Sequence, residues 1–282
     1  MVIQQIAYET ITINLPADRD QTFSAPIKLN PKIYDGNEIS VQGEDASEWR
    51  KLYKQFFKAF IGQTENASNC GILNPEVIEL ARDSEDDMLI AESDSIIRIR
   101  NDALGYYIDL ILQYFKWDAK KDIGRFKILP LFKELNQPAV RKTIQQRLET
   151  YRDSPQHFLT GLIQDNLEKQ NFHITSKIIT SLADTIKHDK KLLLKLCVYI
   201  APDTKLRGLY ELNFGDFLRV TFSRHPFFKK EISYIKILKD PVLLYKSGLL
   251  YDPMSMETAG VWGKRRFADT LPLDYQADFL RN

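Results

Sequence analysis

The feature that most constrains the fold of this chain is a run of apolar residues at three- and four-residue spacing across residues 138–200. Such spacing is typical of amphipathic helices, which bury one face. Ser154-Pro155 is a natural stop and restart within the run. The three apolar series are Val140, Ile144, Leu148 and Tyr151; Phe158, Leu159, Leu162, Ile163 and Leu167; and Ile174, Ile178, Ile179, Leu182 and Ile186. The sequence therefore predicts a mainly α fold (α+β overall), a helical bundle or short α-solenoid.

A capped helix is predicted over residues 45–62. Asp45 and Glu48 have the spacing of a capping box, and Gly62 closes the segment. The apolar positions between them are largely aromatic. A wide apolar stripe on a capped helix is typical of a core face, so we interpret the stripe as core and not as the wall of a cofactor site.

Two more helices are predicted between this one and residue 138. A short helix is expected from Pro75 to Arg82, and the acidic run Asp83–Asp87 after it is interpreted as a solvated helix start. That run lacks the glycine and alternating ligands of a calcium loop, which argues against a metal site. A longer helix is expected over Ser95–Phe115, with Leu104, Tyr107, Ile108, Ile111, Leu112 and Phe115 on one side.

The two ends of the chain are predicted to differ from this helical centre. Polar and apolar residues alternate over Tyr8–Leu15, as in a half-buried strand, and Asp35-Gly36 favours a hairpin turn. Near the other end, residues 206–220 are expected to be helical and residues 242–251 to form a hairpin. The predicted organisation is a small β element (1–43), a helical core (44–201), and a basic mixed region with an irregular C-terminal arm (202–282).

The composition of the chain indicates a folded protein and a reducing cellular compartment. A hydrophobic fraction of 44% is too high for intrinsic disorder. No apolar run approaches the ~20 residues that a membrane span needs, and the N-terminus lacks the basic region of a signal peptide. Only two cysteines occur, Cys70 and Cys197, at no short spacing. We expect free, buried thiols in a reducing compartment and therefore a cytoplasmic protein without a membrane partner.

The common chemical motifs are missing from the sequence. Neither type of glycine-rich phosphate loop occurs, nor the Gly-x-Ser-x-Gly turn of α/β-hydrolases. The four histidines are too widely spaced for a zinc site of the usual kind. We therefore predict no small-molecule cofactor and no metal, and the sequence favours a protein that is not an enzyme.

The charge distribution is the strongest indication of a binding role. Residues 1–110 contain 19 acidic and 10 basic residues, whereas residues 111–282 contain 19 acidic and 29 basic residues. Two basic segments, residues 224–230 and 262–267, also carry aromatic residues, a mixture that suits single-stranded nucleic acid. Two alternatives stay open: the aromatic residues are core anchors, or the segments bind an acidic protein surface. The candidate binding residues are Arg224, Lys229, Lys230, Trp262, Lys264, Arg265 and Arg266.

One short segment suggests catalysis. Arg152 and His157, in Arg-Asp-Ser-Pro-Gln-His, have a spacing that resembles the R-x4-H motif of the helical ribonucleases known as HEPN domains. The resemblance covers six residues and implies a metal-independent ribonuclease, in which the arginine stabilises a phosphate while the histidine moves protons. A purely structural interpretation also accounts for the segment, because Ser154-Pro155 is typical of a boundary between two helices.

The sequence favours a non-catalytic accessory or adaptor subunit that docks into a larger macromolecular assembly through charge-polarised surfaces. The first alternative is a single-stranded nucleic-acid-binding protein that uses the basic and aromatic C-terminal residues. The second is the metal-independent ribonuclease. The expected partner is a macromolecule: a protein, RNA or single-stranded DNA.

Overall fold

The structure is a computed structural model of the chain. It describes residues 46–135, 141–176, 209–212, 214, 217–223, 230–275 and 277, and also residues 2–3, 11–12, 28 and 197–199. The chain divides into two compact units, Met1–Ser47 and Glu48–Asn282. In the first unit, strand β1 (Val2–Ile3) pairs antiparallel with β2 (Ile11–Thr12), which lies within the strand predicted from alternation. The predicted turn at Asp35-Gly36 lies outside the described residues.

The second unit contains an antiparallel six-stranded sheet. Its strands are β3 (Cys70–Ile72), β4 (Glu79–Arg82), β5 (Leu89–Glu92), β6 (Ile97–Asn101), β7 (Tyr106–Asp118) and β8 (Ile123–Glu134). The order is β3-β6-β7-β5-β4, and β8 pairs with the opposite side of β7 along its whole length. Among the strands of the described residues, β8 therefore lies at an edge of the sheet.

Helix α1 (Ala46–Phe60) packs its aromatic side chains against this sheet, which confirms the predicted helix and its core stripe. Phe56 and Phe60 are fully buried, and the Phe56 ring lies 4.9 Å from that of Phe115 on β7. Burying a side chain of this size contributes about 2–3 kcal/mol. The chain leaves the helix at Gly62, whose φ of +109° favours glycine. A single turn of helix, α2 (Glu65–Ser68), follows.

The helix predicted over residues 95–115 is wrong, because this segment forms β6 and most of β7. Leu104, Ile108 and Leu112 recur every four residues, which is a helical step but also a multiple of the two-residue step of a strand. A bulge between Leu112 and Tyr114 then shifts the register, so that Phe115 and Trp117 face the core with the earlier residues. Because of this bulge, the alternation of buried and more exposed residues is interrupted within β7.

The helix predicted from Pro75 to Arg82 is also wrong. Only Pro75–Val77 is helical, as a short 3₁₀ turn, and strand β4 begins at Glu79. The acidic run after it is a hairpin turn between β4 and β5 and does not start a helix. Lys116 on β7 places its ammonium 2.7 Å from the carboxylates of Asp83 and of Asp86.

The predicted three-helix bundle is contradicted in its last third. Helices α3 (Arg141–Tyr151) and α4 (Pro155–Ile163) occur as expected, and Ser154 caps α4 by accepting a hydrogen bond from the His157 N–H. The chain then forms strand β9 (Phe172–Ser176), which carries Ile174. The remainder of the predicted third helix, residues 177–186, lies outside the described residues.

The rest of the second unit is also β-structure. Strands β12 (Phe217–Phe222), β13 (Glu231–Ile237) and β15 (Met256–Gly260) join β9 in a four-stranded sheet of order β15-β13-β12-β9. Strands β10 (Cys197–Tyr199), β11 (Tyr210–Leu212) and β14 (Val242–Leu244) form a three-stranded sheet. The helix predicted over 206–220 is therefore wrong. The predicted hairpin is confirmed in outline, because β14 is followed by a turn in which Tyr245 N–H donates to Leu249 O.

The described C-terminal residues combine short regular elements with irregular stretches. They contain β15 and two 3₁₀ turns, Trp262–Lys264 and Phe267–Asp269. The second turn docks on the aromatic core, where the Phe267 ring stacks 5.0 Å from that of Phe60. Ala268 O accepts a hydrogen bond from the buried amide of Asn101.

The prediction of a mainly α fold with a helical bundle or solenoid is therefore wrong. Among the described residues, β-sheets predominate and the four α-helices are short. Two hydrophobic clusters form the core of the larger unit, one under α1 and the six-stranded sheet, the other between α4 and the four-stranded sheet. Within the described residues, no helix combines the length and the apolar character needed to cross a membrane.

Candidate partner-binding site

A groove of about 620 Å³ lies where the start of β8 faces β15. One wall is formed by residues 121–126, which include the turn before β8. The other is formed by β15 and the 3₁₀ turn at Trp262–Lys264 with the two residues after it. The walls are linked by an ion pair, with Arg125 Nη2 3.5 Å from Glu257 Oε2. We call this feature the basic groove, for the charges described below.

The β7–β8 turn is shaped by its own polar side chains. Asp118 Oδ1 accepts hydrogen bonds from the backbone N–H groups of Lys120 and Lys121, at 2.9 and 3.2 Å. Asp122 has a left-handed φ of +53°, which aspartate tolerates better than most residues, and its carboxylate accepts from the Trp117 indole. This closed turn holds Lys121 at the rim of the groove, with its side chain 70% exposed.

Cations outnumber carboxylates along the groove. The five cations are Lys121, Arg125, Lys264, Arg265 and Arg266, whereas Asp122 and Glu257 are the two acidic residues. Lys121, Arg125 and Lys264 are exposed to solvent. Asp122 and Glu257 contribute negative charge, and Lys121 Nζ lies 3.3 Å from Asp118 Oδ2, but positive charge predominates in the groove. A cleft with an excess of one sign of charge concentrates its field, so this groove attracts anionic groups.

Two groove cations were missed at the sequence level, Lys121 and Arg125. A signal for them exists, because residues 116–127 contain five lysines and arginines. Only the long β7–β8 hairpin shows that its tip lies beside Lys264.

Two aromatic residues of the predicted basic segments, Trp262 and Phe267, are core residues, whereas Phe227 and Phe228 lie outside the described residues. Trp262 is 1% exposed, its indole N–H donates to Asp153 O at 2.5 Å, and its ring packs against Phe158. Phe267 is equally buried. The structure therefore supports the alternative that these rings are core anchors, and neither ring has a face open for stacking on a base.

Arg265 and Arg266 line the groove but are tied to the fold. Arg265 donates to Thr150 O and Arg152 O, at 2.8 and 3.2 Å, and these carbonyls lie at the end of α3 and in the turn after it. Arg266 donates to Asp122 O at 3.2 Å and so joins the two walls of the groove. Both side chains are mostly buried, at 18% and 13% exposure. They add positive charge to the groove and also hold it together.

The remaining predicted binding residues are not in this groove. Lys230 is exposed at the start of β13 and does not line it. Arg224 and Lys229 lie outside the described residues. The structure thus brings together Lys264, Arg265 and Arg266 from the predicted set, and adds Lys121 and Arg125 to them.

The two residues of the R-x4-H motif, Arg152 and His157, contact other residues of the fold: His157 is buried in the core, and Arg152 forms an ion pair. His157 is 3% exposed, and its Nδ1 accepts the Asp153 N–H at 3.2 Å. Its ring packs between those of Tyr151 and Phe172. Burial lowers the pKa of His157 to about 4, so the ring is neutral at pH 7. Arg152 is bonded to Glu149 at 3.2 Å. His157 is therefore a neutral ring within the core of the free protein.

Asp153 is a buried carboxyl group behind the groove wall. Burial raises the pKa of Asp153 well above its usual range, the neighbouring Glu231 carboxyl raises it further, and Arg265, 3.6 Å away, opposes both. The residue has a left-handed φ of +55°. It links the α3–α4 junction to the Trp262 turn, through its own carbonyl and through Arg265.

Comparisons of the chain with known protein families, with curated proteins and with solved structures found no match. Among the described residues, no group of three or more His, Cys, Asp or Glu side chains is arranged to hold a metal ion.

Proposed function

We propose that this protein is a non-catalytic adaptor that docks an acidic macromolecular partner into the basic groove. The observation that carries the proposal is the composition of the groove, with five cations against two carboxylates. Three of these cations are exposed, on two walls that face each other. A partner in the groove would meet positive charge from both sides.

The groove suits docking because its charges act together. A single exposed ion pair contributes only about 0–1 kcal/mol, but several cations along one groove steer an acidic partner and set its orientation. Such attraction is screened beyond about 8 Å at physiological salt, so binding should weaken as salt is added.

An acidic protein suits the groove better than a nucleic acid does. Proteins that bind single strands combine cations with aromatic faces on which bases stack. Among the described residues that line the groove, the only aromatic ring is that of Phe126, and it packs edge-on against Phe60 at 5.3 Å.

We also propose that the protein is located in the cytoplasm, in keeping with its small number of cysteines and with the free, buried thiol of Cys70.

The test uses a fluorescein-labelled eight-residue peptide, (Glu-Thr)₄, and measures binding by fluorescence anisotropy across a salt series. The groove variant replaces Lys121, Arg125 and Lys264 with alanine. Its matched control replaces Lys51, Lys54 and Lys58, three exposed lysines on α1, which changes the net charge equally. Arg265 and Arg266 are left intact because the fold depends on them.

We expect the groove variant to bind the peptide at least tenfold more weakly than the native protein, and the control to stay within twofold. Equal binding by all three proteins, or no binding of the peptide by the native protein, would overturn the proposal. Tighter binding of a twelve-residue oligothymidine than of the peptide would also overturn it, in favour of nucleic acid.

A further inference from the structure

The structure offers more than charge at the groove, because one wall is the free edge of a sheet. Strand β15 is the terminal strand in the order β15-β13-β12-β9, so one of its sides pairs with no strand of the described residues. Met256 and Thr258 on this strand line the groove. A free strand edge is the feature to which extended peptides add as a further strand.

The hydrogen bonds between β13 and β15 show which backbone groups face the groove. Leu238 N–H donates to Ser255 O at 2.8 Å at one end, and Val261 N–H donates to Ile232 O at 3.1 Å at the other. Bonded and non-bonded pairs alternate in an antiparallel ladder. With the observed register, Glu257 and Ala259 are in bonded pairs with β13. The N–H and C=O groups of Met256 and Thr258 therefore point away from β13.

The turn after β15 passes close to one of these groups. Gly263 approaches the Thr258 carbonyl, and a Cβ at this position would lie 3.2 Å from that oxygen. Glycine at 263 therefore keeps a side chain away from an acceptor on the strand edge. Neither this acceptor nor the Thr258 N–H bonds to another group of the described residues, and because backbone polar groups need partners, both can pair with an added strand.

We propose that the acidic partner binds as an extended peptide that adds to the free edge of β15. This inference rests on the proposed function and specifies how the partner is held. In an added strand, alternate side chains lie on the same face. Acidic residues at every second position would therefore all face the cations, while the backbone bonds to Met256 and Thr258.

The existing ion pair across the groove adds a second expectation. Glu257 forms an ion pair with Arg125 in the free protein and would compete with the carboxylates of the incoming peptide for this arginine. Removing this competitor with Glu257→Gln should tighten binding of (Glu-Thr)₄ about two- to fivefold. Unchanged or weaker binding by this variant would count against the proposed path of the peptide along the groove.

The decisive measurement is hydrogen exchange followed residue by residue by NMR, with and without saturating (Glu-Thr)₄. We expect the Thr258 amide to exchange at least tenfold more slowly with the peptide bound. The Glu257 and Ala259 amides, already bonded to β13, should change less than twofold. An eight-residue (Lys-Thr)₄ peptide is the control and should protect none of them.

Peptide variants separate strand addition from docking by charge alone. In one peptide every glutamate is N-methylated, and in the other every threonine, so that charge is equal but opposite sets of backbone donors are lost. Pairing with one strand edge predicts at least tenfold weaker binding of one peptide and less than threefold for the other. If both bind like the unmodified peptide, or lose affinity equally, strand addition is overturned while the docking function stands. If the unmodified peptide fails to bind, the docking function itself falls.

Discussion

The burial of His157 predicts a specific acid sensitivity of the fold. The pKa of this histidine is about 4 in the native state, against about 6.5 in an unfolded chain. The unfolded state therefore gains a proton first as the pH falls. The stability that His157 contributes is fully present above pH 6.5 and is lost as the pH falls through 4. The shift corresponds to about 3 kcal/mol in total, of which about 2 kcal/mol is lost by pH 5.

The perturbation is His157→Asn, whose amide oxygen lies close to the position of Nδ1 and can still accept the Asp153 N–H. Removing the ring leaves a cavity beside Tyr151 and Phe172, so the variant is less stable at pH 7.5. Because asparagine does not titrate, the gap between the two proteins should narrow by about 2 kcal/mol at pH 5. Titrating groups that are present in both proteins cancel in this difference.

The assay is urea unfolding followed by fluorescence at pH 7.5 and pH 5, with the free energy extrapolated to zero denaturant. The control is His173→Asn, which replaces an exposed histidine on β9. The same narrowing of the gap in this variant would show that the effect does not depend on the burial of His157. A gap for His157→Asn that is equal at the two pH values would refute the reasoning, because the histidine would then not be buried in its neutral form.

Two further outcomes follow from the polar contacts behind the groove. Trp262→Phe removes the indole bond to the buried Asp153 carbonyl and should lower the free energy of unfolding by about 3 kcal/mol in urea; a loss under 1 kcal/mol would show that this contact is dispensable. Asp153→Asn should gain stability relative to the native protein as the pH rises from 5 to 8, measured by thermal unfolding. The raised pKa means that the contribution of Asp153 is lost as its carboxyl ionises, so a parallel pH profile would contradict the assignment.

The elements that sequence patterns predicted well depend on a few neighbouring residues. Helix α4 begins at the adjacent residues Ser154 and Pro155, which supply the N-cap and the first helical position. Helix α1 has a continuous aromatic stripe that only helical spacing explains. The turn after β14 closes through Gly248, whose φ of +77° glycine adopts readily.

The strands were mispredicted where the pattern fits both periods. Leu104, Ile108 and Leu112 would form a stripe on a helix and equally one face of a strand. The outcome depends on partners elsewhere in the chain, since β7 pairs with β5, β6 and β8. The contacts of Arg147 likewise could not be predicted from local sequence. It is 8% exposed, binds Glu134 through two hydrogen bonds and lies 4.0 Å above the Tyr106 ring, contacts that its position in sequence does not reveal.

The sequence alone established the excess of positive charge in the second part of the chain and the basic segment at Lys264–Arg266. Whether those side chains and the nearby rings are exposed was decided only by the tertiary structure. Arg266 bonds to Asp122 from 144 positions away, so the groove exists only when two distant segments meet. The physical reason is that charge and helical spacing are properties of short stretches, whereas burial and strand pairing depend on which distant residues come together.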